Sequence, residues 1–256
     1  MPAITLAAVV SVVSFNIHHG TGEDERSTLA EQAALVAALG ADIVALQECD
    51  VRTTRSGGLD QVAEIARLAG FAHHAFGHNL DYRGGGYGCA ILSRLPLRAV
   101  KNVALPMITD AGTRPHVDGK IHKPEPRGLL SAVVDLGGQD LLVLTTHASI
   151  WTEEREMAAA VIVERVLAHD GPVILAADLN TADQDATEID MLRPALLDAL
   201  AAVGADGPTF PSSALHDRID YIWVRGLDPI TAAVVPSECS DHAAITAGLA
   251  LCGSLR

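Results

Sequence analysis

Val173-Ile174-Leu175-Ala176-Ala177-Asp178-Leu179-Asn180 decides the fold. Five apolar residues, β-branched at the front and closed by an acid and an amide, are too few for a helix and suit a strand. The run does not alternate apolar with polar, so both of its faces must be covered. The same kind of run recurs at 9–15, 43–47, 89–92, 129–134, 141–145, 219–224 and 243–249, and each predicts a strand. Helical patterns occupy 29–39, 59–68, 153–167 and 191–203. In the first of these Leu29, Ala33, Val36 and Leu39 share a face, Ser27 or Thr28 is the cap, and Glu31 is placed for a capping box. Two sheets packed face to face, with helices outside each, would cover every strand on both sides. No linker divides the chain, so residues 1–256 are read as one domain. The one long irregular stretch, 106–128, is rich in Pro, Gly, His and charge, and loops of that length are usually functional or disordered.

Composition narrows the function classes. The chain has 256 residues, 49% of them hydrophobic, enough for a large core and incompatible with disorder. Aromatics make up only 4%, which weighs against stacking platforms for single-stranded nucleic acid. Acidic residues number 32 against 18 basic, a formal charge of -14. Such a chain repels polyanions at long range. The exception is 94–127, where Arg94, Arg98, Lys101, Arg114, Lys120, Lys123 and Arg127 outnumber Asp110, Asp118 and Glu125. That stretch is either a solvated loop or a basic rim for an anionic substrate. Four scattered cysteines without a CxxC pair indicate neither a zinc site nor a redox motif. Residues 1–15 are apolar but lack the basic start of a secretory signal and are too short to span a membrane. They read as a buried strand of a cytoplasmic protein, and no amphipathic basic helix or lipid anchor is visible.

Polar residues gather where strands begin or end. Asn16 follows the first strand, Glu48 the second, and Thr146-His147 the run at 141–145. Asp178 and Asn180 close the opening stretch, Asp220 lies near the start of the run at 219–224, and Ser240-Asp241-His242 precedes the last strand. Strand ends along one sheet edge are where α/β active sites are built. Oxygen donors of this kind suit a hard cation such as Mg²⁺. Clustered carboxylates without a cation would raise one another's pKa. Asp178 and Asn180, two apart, would share a face in extended backbone, whereas Asp241 and His242 need a turn at Ser240 to serve one site. Taken singly, each has a plainer reading: Asn or Asp after a strand is a turn former, Glu48 a cap or surface acid, Asp220 a core ion pair, and His147 or His242 a structural histidine.

As an ordered set these words resemble the endonuclease/exonuclease/phosphatase superfamily, the deoxyribonuclease-I-like metal-dependent phosphoesterases. The resemblance is carried by Phe15-Asn16-Ile17, Leu46-Gln47-Glu48, Thr146-His147, Ala177-Asp178-Leu179-Asn180, Arg218-Ile219-Asp220-Tyr221-Ile222 and Ser240-Asp241-His242. The stretch from Gly86 to Arg94 and Pro126-Arg127-Gly128 look like the family's intervening segments, and Asn16-Ile17-His18-His19-Gly20 like its small bacterial metal-dependent hydrolases. The resemblance implies a four-layer α/β/β/α sandwich of two mixed sheets and phosphoester hydrolysis with Mg²⁺ or Mn²⁺. It makes Glu48 the principal metal ligand, with Asn16 beside it and Asp241 completing the shell. Asp178 would orient or deprotonate the attacking water and Asn180 bind a phosphate oxygen. His242, oriented by Asp220, and His147 would contact the phosphoryl group from two sides.

Physical chemistry suits these roles. A metal neutralises the anionic ester. Asp178 as general base supplies roughly 10²–10⁴-fold. An Asp220–His242 pair favours the imidazolium, and Arg127 could clamp the same charge. Two departures stand out: Ala177 where Gly is usual, narrowing backbone freedom, and Ala148 where a larger apolar residue is usual, widening the pocket. The substrate expected is a phosphate ester of a small or lipid-derived molecule. The alternative is a nuclease, disfavoured by the acidic charge. A non-catalytic module on this fold should have lost Glu48, Asp178 or His242, and all three remain. The roles of His18, His19, His73, His74, His78, His116 and His122 stay open.

Overall fold

The computed structural model describes residues 9–108, 114–115 and 121–252. The expectations for residues 1–8, and for Asp110, His116, Asp118 and Lys120 in the basic stretch, lie outside these. In chain order the strands are β1 (Val9–Asn16), β2 (Ile43–Val51), β3 (His73–Tyr82), β4 (Gly85–Ser93), β5 (Arg98–Ala104), β6 (Arg114–Pro115), β7 (Ile121–His122), β8 (Gly128–Leu136), β9 (Gln139–Thr145), β10 (Val173–Asp178), β11 (Leu197–Asp198), β12 (Asp220–Arg225), β13 (Leu227–Val235) and β14 (Ala244–Leu251). The helices are α1 (Leu29–Leu39), α2 (Gln61–Ala69), α3 (Thr152–Leu167), α4 (Thr187–Leu192) and α5 (Ala199–Ala202).

Two six-stranded sheets form, ordered β13-β14-β1-β2-β4-β3 and β11-β12-β10-β9-β8-β5, with β6-β7 a separate pair. Both sheets are mixed: β1 runs parallel to β2, and β10 parallel to β9, among antiparallel neighbours. The unbroken apolar runs are explained by three hydrophobic layers. Val10 and Val12 of β1, and Ile174 and Ala176 of β10, pack between the sheets. Val13 and Phe15 of β1 pack outward under α1 and α2. Val173, Leu175 and Ala177 of β10 pack outward under α3 and α4. Each buried Val, Leu or Ile contributes about 1.5–3 kcal/mol, so a strand with two covered faces gains from apolar residues at every position. The result is the expected α/β/β/α sandwich. No helix among the described residues is long and apolar enough to cross a membrane.

Several expectations are corrected. The helix expected at 191–203 is two short helices, α4 and α5, separated by β11. Pro194 lacks the N–H that would continue the ladder, and the first ends at Leu192 with Arg193 still in helical backbone. Asp198 then caps the second, accepting from Leu200 N and Ala201 N. The capping box on α1 does not form: the Thr28 hydroxyl donates to Cys239 O at 2.6 Å and Glu31 pairs with Arg26 at 2.8 Å. Of the unforeseen strands, β6 and β7 pair apart in the stretch read as irregular, and β3, β5, β11 and β13 all lie at edges of the two large sheets, where one side meets solvent and the apolar pattern is diluted. Ala177 sits in regular strand paired with Tyr221, its methyl among the apolar residues beneath α3. Ala148 packs into that same layer, so its small side chain does not widen the catalytic pocket.

Candidate active site

Side chains alternate along a strand, and that alternation places most of the site. The inward positions of β1 run Val10, Val12, Ser14, Asn16, and those of β10 run Ile174, Ala176, Asp178. Asn16 and Asp178 therefore face each other across the sandwich, at the ends of the central strands. The Asn16 Nδ2 donates to Asp178 Oδ2 at 2.9 Å. In β12 the same alternation sets Asp220 inward with Ile222 and Val224, and beyond β9 it carries His147 inward after Val143 and Thr145. A bridge between His147 and Asp178 prolongs the parallel β9–β10 pairing to the site.

Glu48 breaks this alternation. Gln47 faces inward, so the next residue should point toward α1 and α2. Instead the β2–β4 register shifts between Leu46 and Cys49, and Glu48 adopts φ of 59°. A bulge of this kind re-aims a side chain, and here it brings the carboxylate within 3.3 Å of Asn16 Nδ2. Glu48 thus lies inside a longer strand rather than after its end. Asn180 is also not extended: it has φ of 53°. Its N–H donates to Asp178 Oδ1 at 2.9 Å, and its Nδ2 donates to Ala148 O at 2.9 Å while standing 2.8 Å from His147 Nε2.

The expected turn at Ser240 is present. Its hydroxyl donates to Asn16 O at 2.7 Å and accepts from His242 N at 3.3 Å. His242 Nδ1 lies 2.8 Å from Asp220 Oδ2, and its Nε2 is 3.8 Å from Asp178 Oδ2. Arg127 Nη1 lies 3.0 Å from His147 Nδ1. Glu48, Arg127, His147, Asp178, Asn180, Asp241 and His242 all line one cavity of about 400 Å³, with Asn16 and Asp220 behind it. His18, His19, Arg55, Tyr87 and Phe210 line it too, and none of these was assigned a role from sequence. The signal for the histidines was the glycine after them. Gly20 has φ of 83°, and a Cβ there would stand 2.5 Å from Gln61 Nε2. The tight turn swings His18 toward Asp241 (3.8 Å) and His19 toward Glu48 (4.0 Å). His73, His74 and His78 sit on β3 and His122 on β7, outside that lining.

The buried charges are set in opposition. Burial and the neighbouring Asp220 push Asp178 up to about 7, against the pull of His242, Asn16 and Asn180. Burial opposes charge on His242, but Asp220, Asp178 and Asp241 outweigh it and raise the imidazole to about 10. Burial and the Arg127 guanidinium depress His147 to about 3, so it is neutral. Burial raises Glu48, yet the imidazoles of His19 and His242 hold it well below the usual carboxylate range. The Asp178, Asp220 and His242 donor atoms lie within 4.8 Å of one another. There the charged ring already bridges the two acids. Glu48 and Asp241 differ: each is 19% exposed at the cavity, and among the described residues neither accepts a hydrogen bond shorter than 3.3 Å. Two open carboxylates of this kind fit a divalent cation. Asn16 turns its Oδ1 to the His18 N–H at 3.0 Å, so in this arrangement its amide orients the carboxylates.

A sequence model of the Endonuclease/Exonuclease/phosphatase family matches residues 13–242. The chain is 28% identical over 267 aligned residues to the uncharacterized protein YbhP of Escherichia coli, spanning 98% of this chain and all of that one. Among solved structures it is similar to an endonuclease/exonuclease/phosphatase from Beutenbergia cavernae, with a TM-score of 0.75, 24% identity, and coverage of 96% of this chain and 72% of that one. It is also similar to a mannosyl-6-phosphatase of Bacteroides thetaiotaomicron, with a TM-score of 0.74, 17% identity, and coverage of 94% and 100%. At these identities the structural likenesses establish the fold.

Proposed function

The chain belongs to the endonuclease/exonuclease/phosphatase family, and from that membership we propose that it is a divalent-metal-dependent phosphoesterase acting on a small phosphate ester. The observation that carries this reading is the meeting of Asn16, Glu48, His147, Asp178, Asn180, Asp220 and His242, from both sheets, around one cavity. Glu48 and Asp241 would hold Mg²⁺ or Mn²⁺, with Asn16 orienting Glu48. When bound, the ion supplies charge neutralisation and a template for the ester.

The chain's own residues do the rest. Asp178 is fixed at both oxygens, by Asn16 and by the Asn180 N–H, and a carboxylate near 7 is matched to taking a proton from water at neutral pH. His242 holds a proton on Nε2, aimed into the cavity, while Asp220 fixes Nδ1. That cationic donor stabilises negative charge developing on the phosphoryl oxygens. Neutral His147 and the amide of Asn180 offer further polar contacts on the other side. Arg127 adds a guanidinium.

A small substrate is favoured over a polynucleotide because the basic stretch does not gather at the cavity. Arg94 donates to Ala41 O, Arg98 pairs with Asp140, and among the described side chains only Arg127 of that stretch lines the cavity. The test is phosphate or product release from sugar phosphates, inositol phosphates, phospholipids, aryl phosphates, plasmid and single-stranded DNA, each with Mg²⁺, Mn²⁺ or chelator. Metal-dependent turnover of a small ester is expected. Plasmid nicking at physiological salt, with no small ester cleaved, would establish the nuclease instead.

A further inference from the structure

Beside the catalytic cavity lies a larger one of about 630 Å³, within the range of small-ligand sites. The two share His19 and Arg55 as lining residues. Arg55 is held there rigidly. Its Nε and Nη2 form a fork on the buried Asp50, at 3.0 and 2.8 Å, and Asp50 accepts from Thr53 as well. The guanidinium stacks 4.6 Å from the Tyr82 ring centre and 5.6 Å from that of Tyr87. Among the described residues Nη1 has no hydrogen-bond partner. On the same Tyr82 ring, at 5.3 Å, lies the guanidinium of Arg83. Arg83 is exposed and has no carboxylate partner among the described residues. Glu25, the one acidic residue among the described residues lining this cavity, faces His19 at 3.6 Å.

In a chain with a formal charge of -14, an unpaired arginine beside a pre-oriented one marks a place for an anion. We propose that this second cavity receives the leaving group, and that it selects phosphate esters whose leaving group carries a second anionic group, read by Arg83 and the open edge of Arg55. The proposal rests on the phosphoesterase reading in one respect: the scissile phosphoryl group occupies the neighbouring catalytic cavity. The sharing of Arg55 then places the two anions of one molecule in adjoining compartments.

Binding separates the two ideas. Calorimetric titrations use the Asp178→Asn protein in Mg²⁺ buffer, with glucose 6-phosphate, glucose 1,6-bisphosphate and 6-phosphogluconate. The bisphosphate or the sugar acid is expected to bind about tenfold tighter than the monophosphate. Arg83→Gln, an exposed substitution, is expected to erase that preference, and Arg83→Lys to keep part of it. Equal affinities, a preference untouched by Arg83→Gln, or no binding of any of the three would overturn the proposal. Wild-type turnover is measured in parallel. A preference that survives without hydrolysis of any ester would reject the phosphoesterase reading and leave the anion subsite standing.

Discussion

Asp178 stands at the point where function and stability pull apart. Its carboxyl is buried, close to Asp220, and raised to about 7, so the folded protein without metal holds its proton more tightly than the unfolded chain does. A carboxyl raised in this way is a liability to the fold once the pH exceeds its unfolded value near 3.8, and the liability grows until the pH passes about 7. Asp178→Asn is therefore expected to raise the melting temperature of the chelated protein at pH 8, with the gain shrinking as the pH falls toward 4. Thermal denaturation at several pH values reads this, and a variant less stable than wild type at pH 8 would contradict it. The same variant is expected to lose roughly 10²–10⁴-fold in turnover as a missing general base. Asp220→Asn acts through His242: the ring loses the carboxylate 2.8 Å from Nδ1 that favours its charged form. Its kcat is expected to fall by roughly 10²–10³-fold, the scale of one lost electrostatic donor, with little change in KM.

Elements set what one side chain cannot. The inner faces of β1 and β10 carry apolar residues through Val12 and Ala176 and then turn polar. Gln47 of β2 makes that transition, its Nε2 donating to Ser14 Oγ at 3.2 Å and Thr145 Oγ1 at 3.0 Å and so linking the two sheets beneath the site. Gln47→Ala removes the link and leaves a void, at an expected cost of about 2–4 kcal/mol by urea unfolding. Much of this was legible in the sequence. Unbroken apolar runs imply two covered faces, and the acids, amides and histidines at the run ends mark Asn16, His147, Asp178 and Asp220 as candidates for one sheet edge. What was not legible depended on departures from alternation. The bulge at Glu48 and the left-handed backbone at Asn180 are decided by neighbouring strands and loops, not by local pattern. The edges β3, β5 and β13 hid because one side of each meets solvent. Arg55 gave no signal because its place depends on Asp50, Tyr82 and Tyr87 meeting around it, and Tyr82 and Tyr87 are distant from it in the chain.

The whole molecule carries a formal charge of -14, and its two sheets meet at a cluster of acids. Glu48 comes from a bulge in one sheet, Asp178 from the end of β10 in the other, and Asp241 from the turn before β14. A cation bound there would tie these segments together only in the folded state, since the unfolded chain separates Glu48 and Asp241 by nearly 200 residues. Binding that is confined to the folded state stabilises it by RT ln(1 + [L]/Kd), about 2.7 kcal/mol at a hundredfold excess over Kd. For a domain near this size that corresponds to a rise of roughly 5–10 °C in Tm. Mg²⁺ or Mn²⁺ is expected to produce the shift, chelator to reverse it, and Glu48→Gln, which keeps the shape and removes the charge, to abolish it. Sodium chloride at matched ionic strength supplies the control: screening relieves the general repulsion of an acidic surface, whereas a site-bound divalent ion acts beyond it. An equal shift from sodium chloride, or an undiminished shift in Glu48→Gln, would place the effect on the surface and remove the metal from the two carboxylates assigned to it.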